Sequence, residues 1–318
     1  MTCFYPVDAW RFYDTKSQTT TYTRKYSEFL RMQKNPSFVL LEKEKGSCGQ
    51  CSGCRVEYTR QWAMRCVAEM GNSTKAVFLT LTFDPFHLPS NKSISKEFIK
   101  TWLKNLRERI RYHYNETIRF YCCGEYGEKK ERPHYHAIIF GFDFPDKQLW
   151  SKKKGQLLYI SKFLQDAWFF GWHTIGQVTM ESCQYVAQYV LKKFTSKDDR
   201  KVKEHYGDRE PEFHHMSRRP GIGAEFFNDF WNDMYPKDKF TFKGKQLRPP
   251  SYFDYLLKKN HPELYEQVKE ARKEKFFEST WGKLSDDELE KELRRKEKYL
   301  HQAFKRHHRY LEEELLNA

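Results

Sequence analysis

The chain has 318 residues, a formal net charge of +14 and 17% aromatic residues. A basic surplus of this size favours a polyanionic partner, because neutralised phosphates release counterions and steer encounter. No segment approaches the roughly 20 apolar residues of a membrane-spanning helix and no signal-peptide core follows Met1, so nucleic acid rather than membrane is the expected partner, in a cytoplasm.

Residues 1–75 carry no long periodic pattern. They hold "CGQCSGC", a Cys-x2-Cys-x2-Cys run formed by Cys48, Cys51 and Cys54. Thiols this close suit a structural zinc (Zn2+) or an iron–sulfur cluster with a fourth ligand from elsewhere. Cys3 is the first choice for that ligand and Cys66 the second; loose reduced cysteines are the alternative. Gly49 and Gly53 would give the tight turns of a zinc knuckle. Uneven clustering of the eight cysteines argues against a disulfide framework, and Cys122, Cys123 and Cys183 read as core.

A clear rhythm begins at "AVFLTLTF" (76–83), where apolar and smaller residues alternate as in a strand. In "SISKEFIKTWLKNLRERIRYHY" (93–114), Phe98, Ile99, Trp102, Leu103, Leu106 and Ile110 recur at three- and four-residue intervals, predicting a helix with one buried stripe and Ser95 as N-cap. "TIRFYCCGEYG" (117–127) and "HYHAIIF" (134–140) predict two further strands. "LLYISKFLQDAWFF" (157–170) reads as a helix ending at Gly171, "HTIGQVTM" (173–180) as a fourth strand, and "SCQYVAQYVLKKF" (182–194) as another helix. Strand, helix, strand, strand, helix, strand is the split βαβ order, an α+β fold whose antiparallel sheet is covered by helices on one face and open to a ligand on the other. Beyond 195 come a polar connector, the arginine-bearing "MSRRPGIG" and, from Leu284 to Leu316, a charged helical tail.

In "ERPHYHAIIFG" (131–141), His134 and His136 flank Tyr135. A strand repeats every two residues, so both imidazoles leave one face and Tyr135 the other. Such a pair can grip one metal ion or be two unrelated polar residues on a solvated sheet. Two His and one carboxylate leave positions open for phosphate oxygen and water. Glu125 is the favoured third ligand, because a hairpin brings it alongside; Glu128 and Asp84 are substitutes. On the last helix Tyr185 and Tyr189 share a face, with Lys192 on the same side. A tyrosine has a pKa near 10 and needs help to attack as phenolate; a bound divalent ion and an ammonium supply it. Aromatic pairs at this spacing also arise as core. Arg218 and Arg219 would reach DNA phosphates or guanine edges, or be solvated loop charges. His205, His214 and His215 are further metal-capable residues without a carboxylate placed beside them.

The ordered set "FLTLTFDP", "RPHYHAIIFG" and "YVAQYVLKK" resembles the three motifs of HUH endonucleases, which initiate rolling-circle replication. Two tyrosines with a lysine three after the second are similar to the two-tyrosine branch containing the bacteriophage φX174 gene A protein. "CFYPVDAW", "CGQCSGCR" and "MSRRPGIG" resemble the replication initiators of gokushovirus-type microviruses, so the likeness runs from Cys3 to about residue 225. This resemblance implies a ferredoxin-like (RRM-like) HUH endonuclease core at 76–195. A Cys-rich segment precedes it at 1–75, with a basic extension at 196–260 and the helical tail at 261–318 following. It makes His134 and His136 ligands of Mg2+ or Mn2+, Tyr185 and Tyr189 alternating nucleophiles, and Lys192 their partner. Gln188 stands where this branch often has a lysine, and Thr80 and Thr82 are left as strand residues. The implied activity is nicking of a phage replicative form through a 5′-phosphotyrosine link and rejoining it, in the host bacterial cytoplasm. With no Gly-x4-Gly-Lys-Ser/Thr loop in the chain, helicase and polymerase would come from the host. The alternatives are an HUH transposase or relaxase, and a non-catalytic zinc-containing nucleic-acid-binding regulator.

Overall fold

The computed structural model describes residues 3–127, 131–153, 156–192, 199–242 and 244–316, of which 153, 156, 181, 188–192, 199, 245 and 304–316 are described by backbone alone. The chain divides into two compact units, Met1–Glu57 with Glu274–Ala318, and Tyr58–Lys273.

In the first unit, β1 (Val7–Asp14) lies between β2 (Thr19–Thr23) and a third strand, all antiparallel. Helix α1 (Tyr26–Gln33) precedes that strand, β3 (Phe38–Gly46), and Trp10, Phe12 and Met32 form a small core. The Trp10 and Phe29 rings stack there with centroids 4.5 Å apart. Helix α2 (Ser52–Asn72) starts in this unit and continues into the next.

The second unit is built on a seven-stranded antiparallel sheet. Its elements follow the chain as β4 (Ala76–Phe83), α3 (Lys96–Tyr114), β5 (Arg119–Tyr126), β6 (Pro133–Phe140), β7 (Gln148–Lys153), β8 (Gln156–Ile160), α4 (Lys162–Ala167), β9 (Gly171–Gln177), α5 (Met180–Lys192), α6 (Asp199–Tyr206) and β10 (Phe213–Met216). The strands stand in the order β10–β5–β6–β4–β9–β8–β7. Next come α7 (Ala224–Met234), a hairpin of β11 (Phe240–Phe242) and β12 (Lys245–Leu247), α8 (Ser251–Asn260) and α9 (Pro262–Glu278); α10 (Asp286–Leu316) returns to the first unit. The α+β class, the large antiparallel sheet and the helical tail agree with the sequence reading.

Strand alternation divides the chemistry between the two sheet faces. On β4, Val77, Leu79, Leu81 and Phe83 are buried and join one core with Tyr135, Ala137 and Ile139 of β6 and the stripe Ile99, Trp102, Leu103, Leu106 and Ile110 of α3. Helix α3 starts where predicted, the Ser95 side chain accepting from the Phe98 N–H, and ends at Asn115 in the left-handed region. Residues of the other parity, among them Tyr121, Ile138 and Phe140, join a second core with α2, α5 and α7. The face expected to be open is therefore covered over part of its area.

Three further expectations are revised. The segment 157–170 is not one helix: Leu157 to Ile160 belong to β8, and the Ser161 hydroxyl caps a short α4 by accepting from Leu164 N–H at 3.0 Å. Apolar residues on both sides of this cap imitate a helical stripe. Consequently Gly171 opens a strand rather than closing a helix, and β9 ends at Gln177 instead of residue 180. The aperiodic N-terminal stretch contains α2, whose Ala63, Met64, Cys66, Val67 and Ala68 are buried nearly in succession. A helix surrounded this way shows no single apolar stripe.

The "MSRRPGIG" turn is tied to this framework by a buried carboxylate. Glu69 of α2, 4% exposed, accepts from the Arg119 guanidinium of β5 and, at 2.6 Å, from the Gly223 N–H. Arg119 also reaches the Pro220 carbonyl at 2.9 Å, and Arg65 donates to the Ile222 carbonyl at 3.0 Å. The Arg65 guanidinium lies between the Trp62 and Tyr252 rings, 4.0 and 3.9 Å from their centroids. Gly223 has φ +81° and its absent side chain would press on the Arg65 carbonyl, so glycine fits where other residues would be strained. Removing one member of a buried ion pair leaves the other uncompensated. Glu69→Ala is expected to lower unfolding free energy by about 3 kcal/mol, the low end for such a pair because Arg119 is partly solvated. A shift of the urea midpoint at unchanged m-value checks it, with Glu69→Gln losing less.

Candidate functional site

The site begins with the register of three strands. Glu125 of β5 stands opposite His134 of β6, and His134 opposite Thr82 of β4; one step along, His136 stands between Cys123 and Thr80. Both imidazoles thus leave the face opposite Tyr135, whose hydroxyl meets the Ser95 backbone across the α3 core. Their ring planes are within 2° of parallel, with centroids 6.4 Å apart.

His136 and Glu125 are both 5% exposed, and Nε2 of His136 lies 2.9 Å from Glu125 Oε1. On its other side Nδ1 lies 3.2 Å from the Thr80 hydroxyl, which can donate or accept and so serves either imidazole tautomer. The second oxygen of Glu125 is buried with no hydrogen-bond partner. His134 places Nδ1 2.6 Å from the Arg132 carbonyl. A carbonyl only accepts, so Nδ1 carries the proton and Nε2 the lone pair. Burial also pushes the His134 pKa below its ordinary value, favouring the neutral, metal-competent imidazole. A lone-pair nitrogen from His134, His136 and an orphaned carboxylate oxygen suit a divalent cation that keeps positions for water and phosphate. Among the described residues, only the cysteines bring three or more ligand atoms within 4.8 Å of one another, so the His–His–Glu set is the looser one.

Helix α5 reaches the same face. Cys183, Val186 and Ala187 are buried in the second core, whereas Tyr185 is 40% exposed. The Tyr185 ring stands edge-on to His136 with centroids 5.3 Å apart, and Phe78 packs against both. The structure thus brings Tyr185, His136, Glu125 and His134 together. Tyr189 and Lys192 lie on the same helix, but their side chains are outside the described residues, as is Glu128 altogether. Asp84 is turned elsewhere: it accepts from the Phe86 and His87 backbone N–H groups and lies 2.9 Å from the His87 ring. Thr80 is the contact that sequence reasoning missed. Its signal was the parity of "LTLT", which puts Thr80 and Thr82 on the histidine face.

Arg218 and Arg219 are both exposed in the turn that Glu69 anchors. His214 Nε2 meets the Tyr58 hydroxyl at 2.9 Å, and its ring stacks on Tyr121. Burial pushes the His215 pKa down, its ring packing on Phe120. Neither they nor His205 join a metal-ligand cluster among the described residues.

In the first unit, Cys3, Cys48, Cys51 and Cys54 bring their sulfurs within 4.8 Å of one another. Backbone N–H groups of Gln50 and Cys51 point at Cys48 Sγ at 3.5 and 3.3 Å, and that of Cys48 at Cys3 Sγ at 3.2 Å. Burial alone would push the Cys48 thiol up, but these donors prevail and bring it down to about 7. Four thiolates at one point can hold a metal such as zinc. The fourth ligand is Cys3; Cys66 is instead buried in the second core, near Cys183. Gly49 supplies a turn at φ +75°, whereas Gly53 is already helical. The purified chain is expected to retain zinc stoichiometrically by elemental analysis, and Cys51→Ser to lose it together with several degrees of thermal stability.

The family model for the replication-associated protein ORF2 matches residues 76–194, the span from β4 through α5 that carries the histidine pair and the tyrosines. The chain is 32% identical over 222 residues to the replication-associated protein VP4 of Bdellovibrio phage phiMH2K, covering 68% of each chain. It is 30% identical over 261 residues to the replication-associated protein ORF2 of Spiroplasma virus 4, covering 79% of each. With the replication-associated protein ORF4 of Chlamydia phage 1 it shares 29% over 217 residues, 67% of this chain and 53% of that one. No solved structure matches. Identity at this level over more than two thirds of both partners places this chain in the family of microvirus replication-associated proteins.

Proposed function

We propose that this protein is an HUH-type endonuclease that nicks one strand of a circular replicative form at its origin, initiating rolling-circle replication. The observation that carries this reading is the Tyr185 ring lying 5.3 Å from the His136 ring on the face that also holds His134 and the unpartnered Glu125 oxygen. The strand order β5–β6–β4–β9, with α3 and α4 in one core, supports the split βαβ assignment. Family membership favours an initiator over a transposase or relaxase.

His134, His136 and Glu125 would hold Mg2+ or Mn2+, which when bound supplies positive charge at the scissile phosphate. Thr80 keeps the His136 ring oriented between strands. The Tyr185 oxygen attacks phosphorus, forming a 5′-phosphotyrosine ester as the P–O3′ bond breaks. The displaced 3′-oxygen takes up a proton and becomes the primer for a host polymerase, with a host helicase unwinding ahead. The ester conserves the bond, so a later 3′-hydroxyl can displace the tyrosine and close a circle without ATP. Tyr189 serves as the second nucleophile and Lys192 as the ammonium beside it. Arg218 and Arg219 bind DNA from their exposed turn. The assignment makes 76–195 the catalytic region, with the Cys-rich segment at 1–75, the basic extension at 196–260 and the charged tail at 261–318.

Incubation with single-stranded origin DNA and Mn2+ is expected to give a covalent adduct that survives denaturation and falls to background in Tyr185→Phe/Tyr189→Phe. No adduct with any divalent ion would leave a DNA-binding protein without this chemistry. Thr80→Val is expected to weaken Mn2+ binding by about 10–100-fold, the usual effect of removing an outer hydrogen-bond partner of a ligating histidine. Calorimetric titration with Mn2+ alone measures it, and an unchanged affinity counts against Thr80 as the orienting group.

A further inference from the structure

The register that builds the His–Glu set continues across the sheet to a residue that the nicking chemistry does not use. Glu125, His134, Thr82 and Trp172 stand in one row over β5, β6, β4 and β9. Neighbouring strands lie about 4.8 Å apart, which puts Trp172 roughly 10 Å from His134 on the same face. Its flanking residues Gly171 and His173 are buried, while Trp172 itself is 57% exposed. Thr82 and Thr174, its nearest neighbours of the same parity, are small side chains. A large indole is thus held at the solvent boundary of a rigid strand, beyond the part of the face that α5 covers.

A cation accompanies the ring. The Arg132 guanidinium lies 5.7 Å from the Trp172 centroid, and one of its terminal nitrogens donates to the Phe83 carbonyl at 2.8 Å. Its Nε is buried without a hydrogen-bond partner. An aromatic surface beside a fixed guanidinium matches the repeating unit of a single strand, one flat base and one phosphate. Duplex DNA offers no such base face, since its bases are stacked on one another.

We propose that Trp172 is a stacking platform for one unpaired base of the DNA strand and that Arg132 holds the adjoining phosphate, next to the His134 end of the candidate site. The proposal deepens the nicking reading and rests on its single-stranded DNA substrate. It specifies where an unpaired nucleotide sits and requires no metal. The chemistry is sequence-tolerant, because every base has a π face.

Binding of a labelled single-stranded oligonucleotide in EDTA tests this apart from catalysis. Trp172→Ala is expected to weaken affinity about 10-fold, within the range for loss of one stacked base, and Trp172→Phe to retain most of it. Moving an abasic residue along the oligonucleotide should reveal one position whose loss costs the wild type a similar factor and costs Trp172→Ala nothing. Unchanged circular dichroism and melting temperature in Trp172→Ala keep the comparison to the surface. Equal affinity of Trp172→Ala and wild type, or abasic profiles that do not differ, overturns the platform, and an adduct from the wild type with Mn2+ then leaves nicking intact. The converse, a 10-fold loss with the abasic signature but no wild-type adduct, upholds the platform and removes nicking.

Discussion

The structure depends on the pairing register of β6 with the strands on its two sides. Side chains along β6 alternate between two environments that do not tolerate exchange. Tyr135, Ala137 and Ile139 enter the α3 core, while His134 and His136 face α5. A slip by one residue would bury imidazoles among leucines and expose a tyrosine whose hydroxyl now meets the Ser95 backbone. The hydrophobic face therefore sets the geometry of the polar one. Glu125 on one side and Thr80 on the other inherit their distances to His136 from this register.

The second core completes the arrangement by placing a helix without closing the site. Cys183, Val186 and Ala187 fasten α5 against the sheet and α2 while Tyr185 stays on the accessible side of the helix. Helix α2 is also the source of Glu69, so one element both packs under the tyrosine helix and secures the turn carrying Arg218 and Arg219. The cysteine cluster lies at the start of that helix, with Cys54 in its first turn.

Much of this was legible because two periods govern it. The spacing of two put His134 and His136 on one face, and the 3.6-residue period gave α3 its stripe and α5 its tyrosine side. What escaped lacks a local period. The Ser161 cap is one residue inside a continuous apolar run, and α2 has small buried residues on several sides. Thr80 draws its role from the strand opposite, 56 residues away along the chain. The buried carboxylate of Glu69 meets Gly223 across 154 residues, and Arg294 lies over the Tyr5 ring at 3.8 Å across nearly the whole chain. Such pairings are properties of topology, and no window of sequence contains both members.

The His134 ring is oriented by the main-chain carbonyl at position 132 rather than by a side chain. Whatever amino acid occupies that position supplies the same oxygen, so the side chain there can vary without retuning the imidazole. A replication protein shifting to a different origin could remodel its nucleotide contacts at this point while the metal-competent histidine keeps its tautomer, an insulation of specificity from reactivity that one peptide group provides.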